Sequence, residues 1–460
     1  MKIRTKNPYN GKVLKEYDVI STSDALSIAQ ESRKAFTHWK DISSSEKKKL
    51  FLNLSKELNK NKSEYAALIT AEMGKPISES LGEIEKCALL AEVLAKNGES
   101  WLAPEKVSAD GKEHVITFEP LGPIFIIMPW NYPFWQVFKV ALPPLFAGNT
   151  ILLKHASNVT GSSLAIEKIF TQAGFPNNVF NSLVINHETS NSLIESDEVA
   201  ACSLTGSVSA GSKIAEHAGK NIKKIVLELG GSDPLLVLED SDLDIAAQAA
   251  VNGRTSNAGQ VCIGSKRIIV HKKIAQAFSE KFTEKINNLK VGDPLDPETQ
   301  IGPLANEQAV KDMEAFVQDA VSKGGKLLTG GVRLKGKNAQ GNFFLPAVLI
   351  QTTPQMNAVC QETFGPIAPI IIANDDEEMI AIANNTEFGL SASIWTKNIE
   401  RAKKIAKKIN AGAVFINSTS KSHPLLPIGG IKKSGFGREL SRYGIKEFVN
   451  IKTINVYDQR

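Results

Sequence analysis

The sequence predicts an α/β protein: a doubly wound parallel sheet, a second α/β unit and a small β arm. Three observations carry that expectation. At 460 residues the chain exceeds what one hydrophobic core serves, so two large domains are expected, with room for a third piece. From residue 115 onward, short apolar runs alternate with helical patterns in two successive series, the pattern of parallel sheets. The tail EFVNIKTINVYD is rich in β-branched and aromatic residues yet has little local core. It needs a sheet to join, in its own chain or on another subunit.

Composition narrows the class. With 42% hydrophobic and 22% charged residues, the chain is too apolar for disorder and too charged for a membrane protein. Its 54 basic residues exceed 49 acidic ones by a net +5, too thin an excess to indicate nucleic acid as a partner. The start, MKIRTKNPYNGKVLKEYDVI, has no apolar run, so no signal peptide is expected. The longest apolar stretch, PIFIIMPW, is too short for a membrane span. Cysteines at 87, 202, 262 and 360 form no CxxC pair, which suits reduced thiols in a cytoplasm. The seven histidines make no HExxH or Cys/His cluster, so no metal site is expected.

The elements follow in order. Residues 23–36 place apolar groups at 25, 28, 29, 35 and 36, a helical period with Ser23 or Asp24 as N-cap. Residues 44–72 continue as helix until MGKP stops them, and 77–100 form another. HVITFEPLGPIFIIMPW then reads as strand, turn, strand, broken by Pro120, Gly122 and Pro123. A helix at 134–147 leads to the buried strand TILLKHA. There follow a helix ending at AGFP, the run VFNSLVI, a helix, ACSLTGS, another helix and KKIVLELGG. This gives four or more βα units between 124 and 232. Alternation resumes from 235 to 416 with PLLVL, a helix at 242–256, RIIVH, a helix, a Gly-rich loop at 324–331, APIIIA, helices and AGAVFIN. The boundary is expected at LGGSDP, 229–234. Residues 1–104 and 122–229 then form the first domain and 230–430 the second. Residues 105–121 and 431–460 form the arm and tail.

Chemistry concentrates in six segments. SNAGQVCIGSKR, residues 256–267, carries Cys262 after a run of small residues. A free thiol has a pKa of about 8.5 and is nucleophilic as thiolate, but free cysteines are also among the most buried residues. Cys262 alone therefore reads either as a packed thiol or as a nucleophile. KKIVLELGGSDP places Glu228 in an apolar run just before Gly230 and Gly231. Such a carboxylate is either ion-paired at a strand end or a general base on a flexible glycine-flanked arm. PWNYPFWQVFK sets Asn131 where a strand ends, as an Asx-turn or as an amide donor to an oxyanion. LLKHASN closes a buried strand at Lys154, the end of a parallel sheet where ligands sit. LTGSVSAG puts Gly206 and Ser207 between strand and helix, where backbone N–H groups meet phosphates; neither GxGxxG nor a P-loop occurs. QETFGP holds Glu362 and Phe364.

In this order, and with GGIKKSGFGREL towards the end, these segments resemble the aldehyde dehydrogenase superfamily over nearly the whole chain. The similarity is strongest to its short succinate-semialdehyde dehydrogenase-like members. The resemblance implies a doubly wound cofactor-binding domain, an α/β catalytic domain and a β oligomerisation arm. It implies that Cys262 attacks an aldehyde, that Asn131 and the Cys262 backbone N–H hold the oxyanion, and that Glu228 activates water to release a carboxylate. For the cofactor, NADP or NAD, it implies Trp130, Lys154, Ser157, Gly206, Ser207, Gly230, Glu362 and Phe364. Many NAD-preferring relatives carry an acid three residues after the lysine; Ser157 stands there, so NADP is expected to be accepted.

For the substrate the resemblance implies Trp135 as a pocket wall and Lys139 and Ser422 as binders of a distal carboxylate. Lys139 keeps the charge of the usual arginine but loses its fork, and reads equally as a solvated helix residue. Ser422 reads equally as an ordinary loop hydroxyl. A second arginine found in some relatives six residues before the nucleophile is Ser256 here, with Arg254 two further back. Succinate semialdehyde is the first expectation and a broad aliphatic aldehyde the second. A CoA-acylating enzyme, a cysteine hydrolase and a non-catalytic scaffold of the same fold are the rivals. The family also implies a homodimer or homotetramer.

Overall fold

The computed structural model describes residues 1–334 and 341–458. Residues 335–340 of the expected second domain and 459–460 of the expected tail lie outside the described residues.

The first sheet has six strands, in the spatial order Gly435–Phe436, Lys224–Glu228, Ala201–Thr205, Pro123–Met128, Thr150–His155, Phe180–Ser182. All neighbours are parallel except the first pair. The chain runs outward from Pro123–Met128 through two strands, then crosses back to lay Ala201–Thr205 on its other side. Its carboxyl ends at Met128, His155, Thr205 and Glu228 therefore open around a point where strand order reverses, the place such sheets bind ligands.

The second sheet has seven strands in the order Lys326–Thr329, Ala347–Ile350, Ile367–Ala373, Ser265–His271, Asp233–Val237, Ser391–Trp395, Ala413–Ile416. Only its first pair is antiparallel. The chain leaves the first sheet at Glu228 and enters the second at Asp233.

Helices of the first hundred residues pack on the first sheet. Phe51, Leu54, Leu58, Ile84 and Leu94 share one core with Ile124, Ile126 and Phe138. Trp135–Ala147 is buried along its whole length, as befits its apolar sequence. Among the described residues no helix is long and apolar enough to cross a membrane.

Several expectations need correction. The first helix, Thr22–Trp39, is capped by Ser21, which accepts from the Asp24 N–H at 3.1 Å; Ser23 and Asp24 lie inside it. The stretch 44–72 is two helices, Ser44–Lys60 and Lys62–Met73, parted at Asn61. Hydrophobic period alone carried across that break. The loop expected at 324–331 contains the strand Lys326–Thr329, an edge strand with too few apolar residues to stand out. An N-terminal hairpin, Lys2–Lys6 with Val13–Asp18, went unread because both strands are short and polar.

The tail strand Val449–Val456 finds its partner in its own chain. It runs antiparallel to Glu113–Pro120, from Val449 beside Pro120 to Val456 beside Glu113, and Glu105–Lys106 flanks the other side. Its outer edge stays open, with Ile451 and Ile454 exposed.

Candidate active site

Cys262 follows a turn whose conformation explains its small residues. Ser256–Gly259 is a 3-10 turn with Asn257 at φ 50° and Ala258 at φ 53°, left-handed values that cost about 1 kcal/mol per residue. The surroundings hold them there. Glu79 accepts from the Asn257 N–H at 2.9 Å and from Ser256 Oγ at 3.1 Å, and Asn257 Nδ2 donates to the Asn131 carbonyl at 2.8 Å. Buried Arg254 donates to the Gly259 and Thr363 carbonyls at 3.0 and 3.1 Å.

That turn locks Asn131 in place. Its Nδ2 donates to the Gln260 carbonyl at 3.0 Å, leaving one amide hydrogen uncommitted. Its Oδ1 is buried without a partner in the described structure, so Asn131 is not the acceptor of an Asx-turn.

Glu228 ends the Lys224–Glu228 strand and is 3% exposed. Its backbone pairs with Gly435, and the following Leu229 N–H and Gly230 carbonyl bond Ser434. The glycine-flanked segment is thus tied down, not a flexible arm. Burial, reinforced by the charge of Glu439, raises the Glu228 pKa to about 8, with Lys139 and Arg438 opposing. Lys139 forms a buried ion pair with Glu439. Burial disfavours the Lys139 charge, but Glu439 and then Glu228 more than restore it, so its pKa lies above the usual lysine value. At 4% exposed, Lys139 is not a solvated helix residue.

Cys262 is half-buried. The protein packed around Sγ pushes its thiol up to about 11 against the pull of Lys139 and Lys266. The resting sulfur is therefore a thiol, and a base is needed to activate it.

Glu362 accepts from the Gly231 N–H at 3.1 Å and from Lys266 Nζ at 2.9 Å. Gly230 permits this approach, since a Cβ there would lie 2.2 Å from Glu362 Oε2. Lys266 also donates to the Cys262 carbonyl at 2.7 Å, tying the sulfur's own backbone to Glu362.

Cys262 stands where two cavities meet. One, of about 270 Å³, is lined by Trp130, Asn131, Gly206, Ser207, Gly230, Glu362 and Phe364. Trp130 and Phe364 meet edge to face at 5.8 Å. Ser207 caps the helix Val208–Lys220, accepting from the Ala210 N–H at 3.2 Å. The other cavity, of about 330 Å³, is lined by Trp135, Lys139 and Ser422 among others. Lys154 and Ser157 line neither; they lie at the carboxyl end of the neighbouring Thr150–His155 strand. Burial lowers the Lys154 pKa. A larger groove of about 860 Å³, beside the helix Ala275–Asn287, contains none of these residues.

Sequence reasoning missed the frame behind Asn131. Lys75 and Glu83 form a fully buried ion pair, with the Lys75 ammonium 3.5 Å from the centroid of Tyr132. Glu83 also accepts from the Phe134 and Trp135 N–H groups at 2.8 and 2.9 Å, closing the N-terminus of the next helix. The signal was present in MGKPISESLGEIEKC, where Glu79 and Glu83 fall one turn apart on the helix Ile77–Trp101 and Lys75 lies in the break just before it. Glu83→Ala leaves Lys75 unpaired and two N–H groups open. It is expected to destabilise the fold by about 3–5 kcal/mol, read as a lower midpoint in urea; a loss under about 1 kcal/mol would contradict this.

Comparison with known proteins places this geometry. The model of the aldehyde dehydrogenase family matches residues 1–454. A Synechocystis sp. protein named probable succinate-semialdehyde dehydrogenase (NADP(+)) is 44% identical over 457 residues, 99% of each chain. An Escherichia coli protein named succinate semialdehyde dehydrogenase (NAD(P)+) is 41% identical over 97% of this chain and 96% of its own. The crystal structure of succinic semialdehyde dehydrogenase from Streptococcus pyogenes in complex with NADP+ superposes with a TM-score of 0.97. It is 34% identical and covers 99% of this chain and 100% of its own.

Proposed function

The chain belongs to the aldehyde dehydrogenase family, and on that premise we propose that it oxidises succinate semialdehyde to succinate with NADP or NAD. The observation that carries this reading is the position of Cys262, at the meeting point of two cavities. The smaller is lined by the residues expected to hold the nicotinamide end of a dinucleotide, and the other has room for a small aldehyde.

The residues around the first cavity fit the dinucleotide. Trp130 and Phe364 form an aromatic wall, and the N-terminus of Val208–Lys220 offers N–H groups to phosphates. Glu362, approached closely because Gly230 lacks a Cβ, would accept ribose hydroxyls. Gly206 lines the same cavity beside Ser207. Outside that cavity, at the end of the Thr150–His155 strand, Lys154 would supply charge for a 2′-phosphate and Ser157 would not repel it. The chemistry a bound dinucleotide supplies is hydride acceptance, which turns the Cys262 thiohemiacetal into a thioester.

The chain's own residues do the rest. Glu228 takes the thiol proton, and Sγ of Cys262 attacks the aldehyde carbon. The uncommitted Asn131 hydrogen and the Cys262 backbone N–H stabilise the oxyanion. Once Glu228 has given the thiol proton up to solvent, it takes a second one from water as water attacks the thioester; the C–S bond breaks, freeing the Cys262 sulfur, and the carboxylate leaves. A base at this position speaks against a CoA-acylating reaction.

The ion pairing of Lys139 with Glu439 favours one second reading, a broad aliphatic aldehyde dehydrogenase. An aldehyde panel with each cofactor decides. Succinate semialdehyde is expected to give the highest kcat/KM, with NADP equal to or better than NAD. An NAD preference of about a hundredfold or more would overturn the cofactor reading, and equal rates for uncharged aldehydes the substrate reading.

The open edge of Val449–Val456, with Ile451 and Ile454 exposed, supports a homodimer or homotetramer joined through the arm. The four unpaired cysteines suit a cytoplasmic enzyme.

A further inference from the structure

Three lysines border the cavity in front of Cys262: Lys86, Lys139 and Lys421. They differ in what already holds their charge. Lys139 is committed to Glu439 in a buried pair. Lys421 is exposed at the rim. Lys86, half-buried on the helix Ile77–Trp101, donates to Ser422 Oγ at 2.6 Å and lies 4.2 Å from the ring centroid of Trp135.

Neither contact neutralises the Lys86 ammonium. A hydroxyl accepts one of its three hydrogens, and an aromatic face attracts the cation without cancelling it. Among the described residues no carboxylate forms an ion pair with it, and burial holds its pKa down to about 8. Glu83, the carboxylate acting on Lys86, is itself paired with Lys75, and a largely desolvated cation with no carboxylate in contact attracts an anion. It shares its cavity with the sulfur, so a ligand can engage both only if it carries a negative group at one end and an electrophilic carbon at the other.

We propose that Lys86, braced by Ser422 and Trp135, reads the distal carboxylate of an ω-carboxylated aldehyde, and that Lys139 does not. This rests on the aldehyde-oxidation reading and assigns its substrate specificity. Lys139 instead holds the charge of Glu439 beside Glu228, so Lys139→Met is expected to lower kcat for charged and uncharged aldehydes alike.

The test compares wild type, Lys86→Met and Lys86→Arg. In Lys86→Met the ratio of kcat/KM for succinate semialdehyde to that for butanal is expected to fall by about tenfold or more, the worth of one charge-assisted hydrogen bond. Lys86→Arg restores most of it. Succinate binding to the same proteins, followed by tryptophan fluorescence, reads the site without turnover and is expected to weaken by a similar factor in Lys86→Met. A Lys86→Met protein that folds and keeps both the ratio and succinate affinity overturns the assignment. Should the wild type bind succinate through Lys86 yet fail to oxidise succinate semialdehyde, the functional reading falls and the carboxylate site stands.

Discussion

A Cys262→Ala variant forms no reduced cofactor from succinate semialdehyde: the rate falls by more than about a thousandfold, to the assay background at 340 nm. The size follows from the site. The described structure places no second thiol in either cavity: Cys87 and Cys202 are buried elsewhere, and Cys360 is exposed. Asn131 and the Ser256–Gly259 turn remain in place without the sulfur, so the variant should fold with wild-type stability and still bind cofactor. Turnover within about tenfold of wild type would remove Cys262 from the chemistry.

A Glu228→Gln variant separates two halves of the reaction. The wild-type carboxyl, raised to about 8 by burial and by Glu439, is mostly protonated at neutral pH. The base is the deprotonated form, so wild-type kcat rises with pH through that region and levels above it. Glutamine removes this limb and lowers kcat by about 10²–10⁴-fold. The Cys262 thiol, near 11, can still be ionised by raising pH. Alkaline solution therefore restores a first-turnover burst of reduced cofactor while steady-state turnover stays slow. Intact mass then shows an acyl group on the protein. A Glu228→Gln enzyme with a near-wild-type steady state, or one that never accumulates acyl-enzyme at high pH, contradicts the assignment.

The parts legible in the sequence were those written locally. Strand and helix alternation showed in apolar runs such as PIFIIM and KIVLE, because parallel strands buried on both faces need continuous apolar residues. The cavity beside Gly206, Gly230 and Glu362 was foreshadowed by strand–turn–helix joints and by glycines that a backbone approach requires. What stayed illegible depends on residues far apart in sequence. Lys139 looked like a free cation because Glu439 lies 300 positions later. Lys86 drew no notice on a helix full of charges, and only Ser422, 336 positions away, reveals its role. In the buried frame, Glu79 and Glu83 resembled an ordinary solvated helix face and Lys75 a loop lysine, since a charge's burial is decided by what packs over it.

The pairing of Gly435 with Glu228 has a consequence for biogenesis. Ser434 bonds Gly230 across 204 positions, so a growing polypeptide emerging from the ribosome carries an unfinished edge at Lys224–Glu228 until that distant segment follows. At ordinary elongation speeds the wait is about 10–40 s. During it the half-made sheet displays an apolar ribbon open to mispairing with neighbouring nascent chains, a natural client for a chaperone.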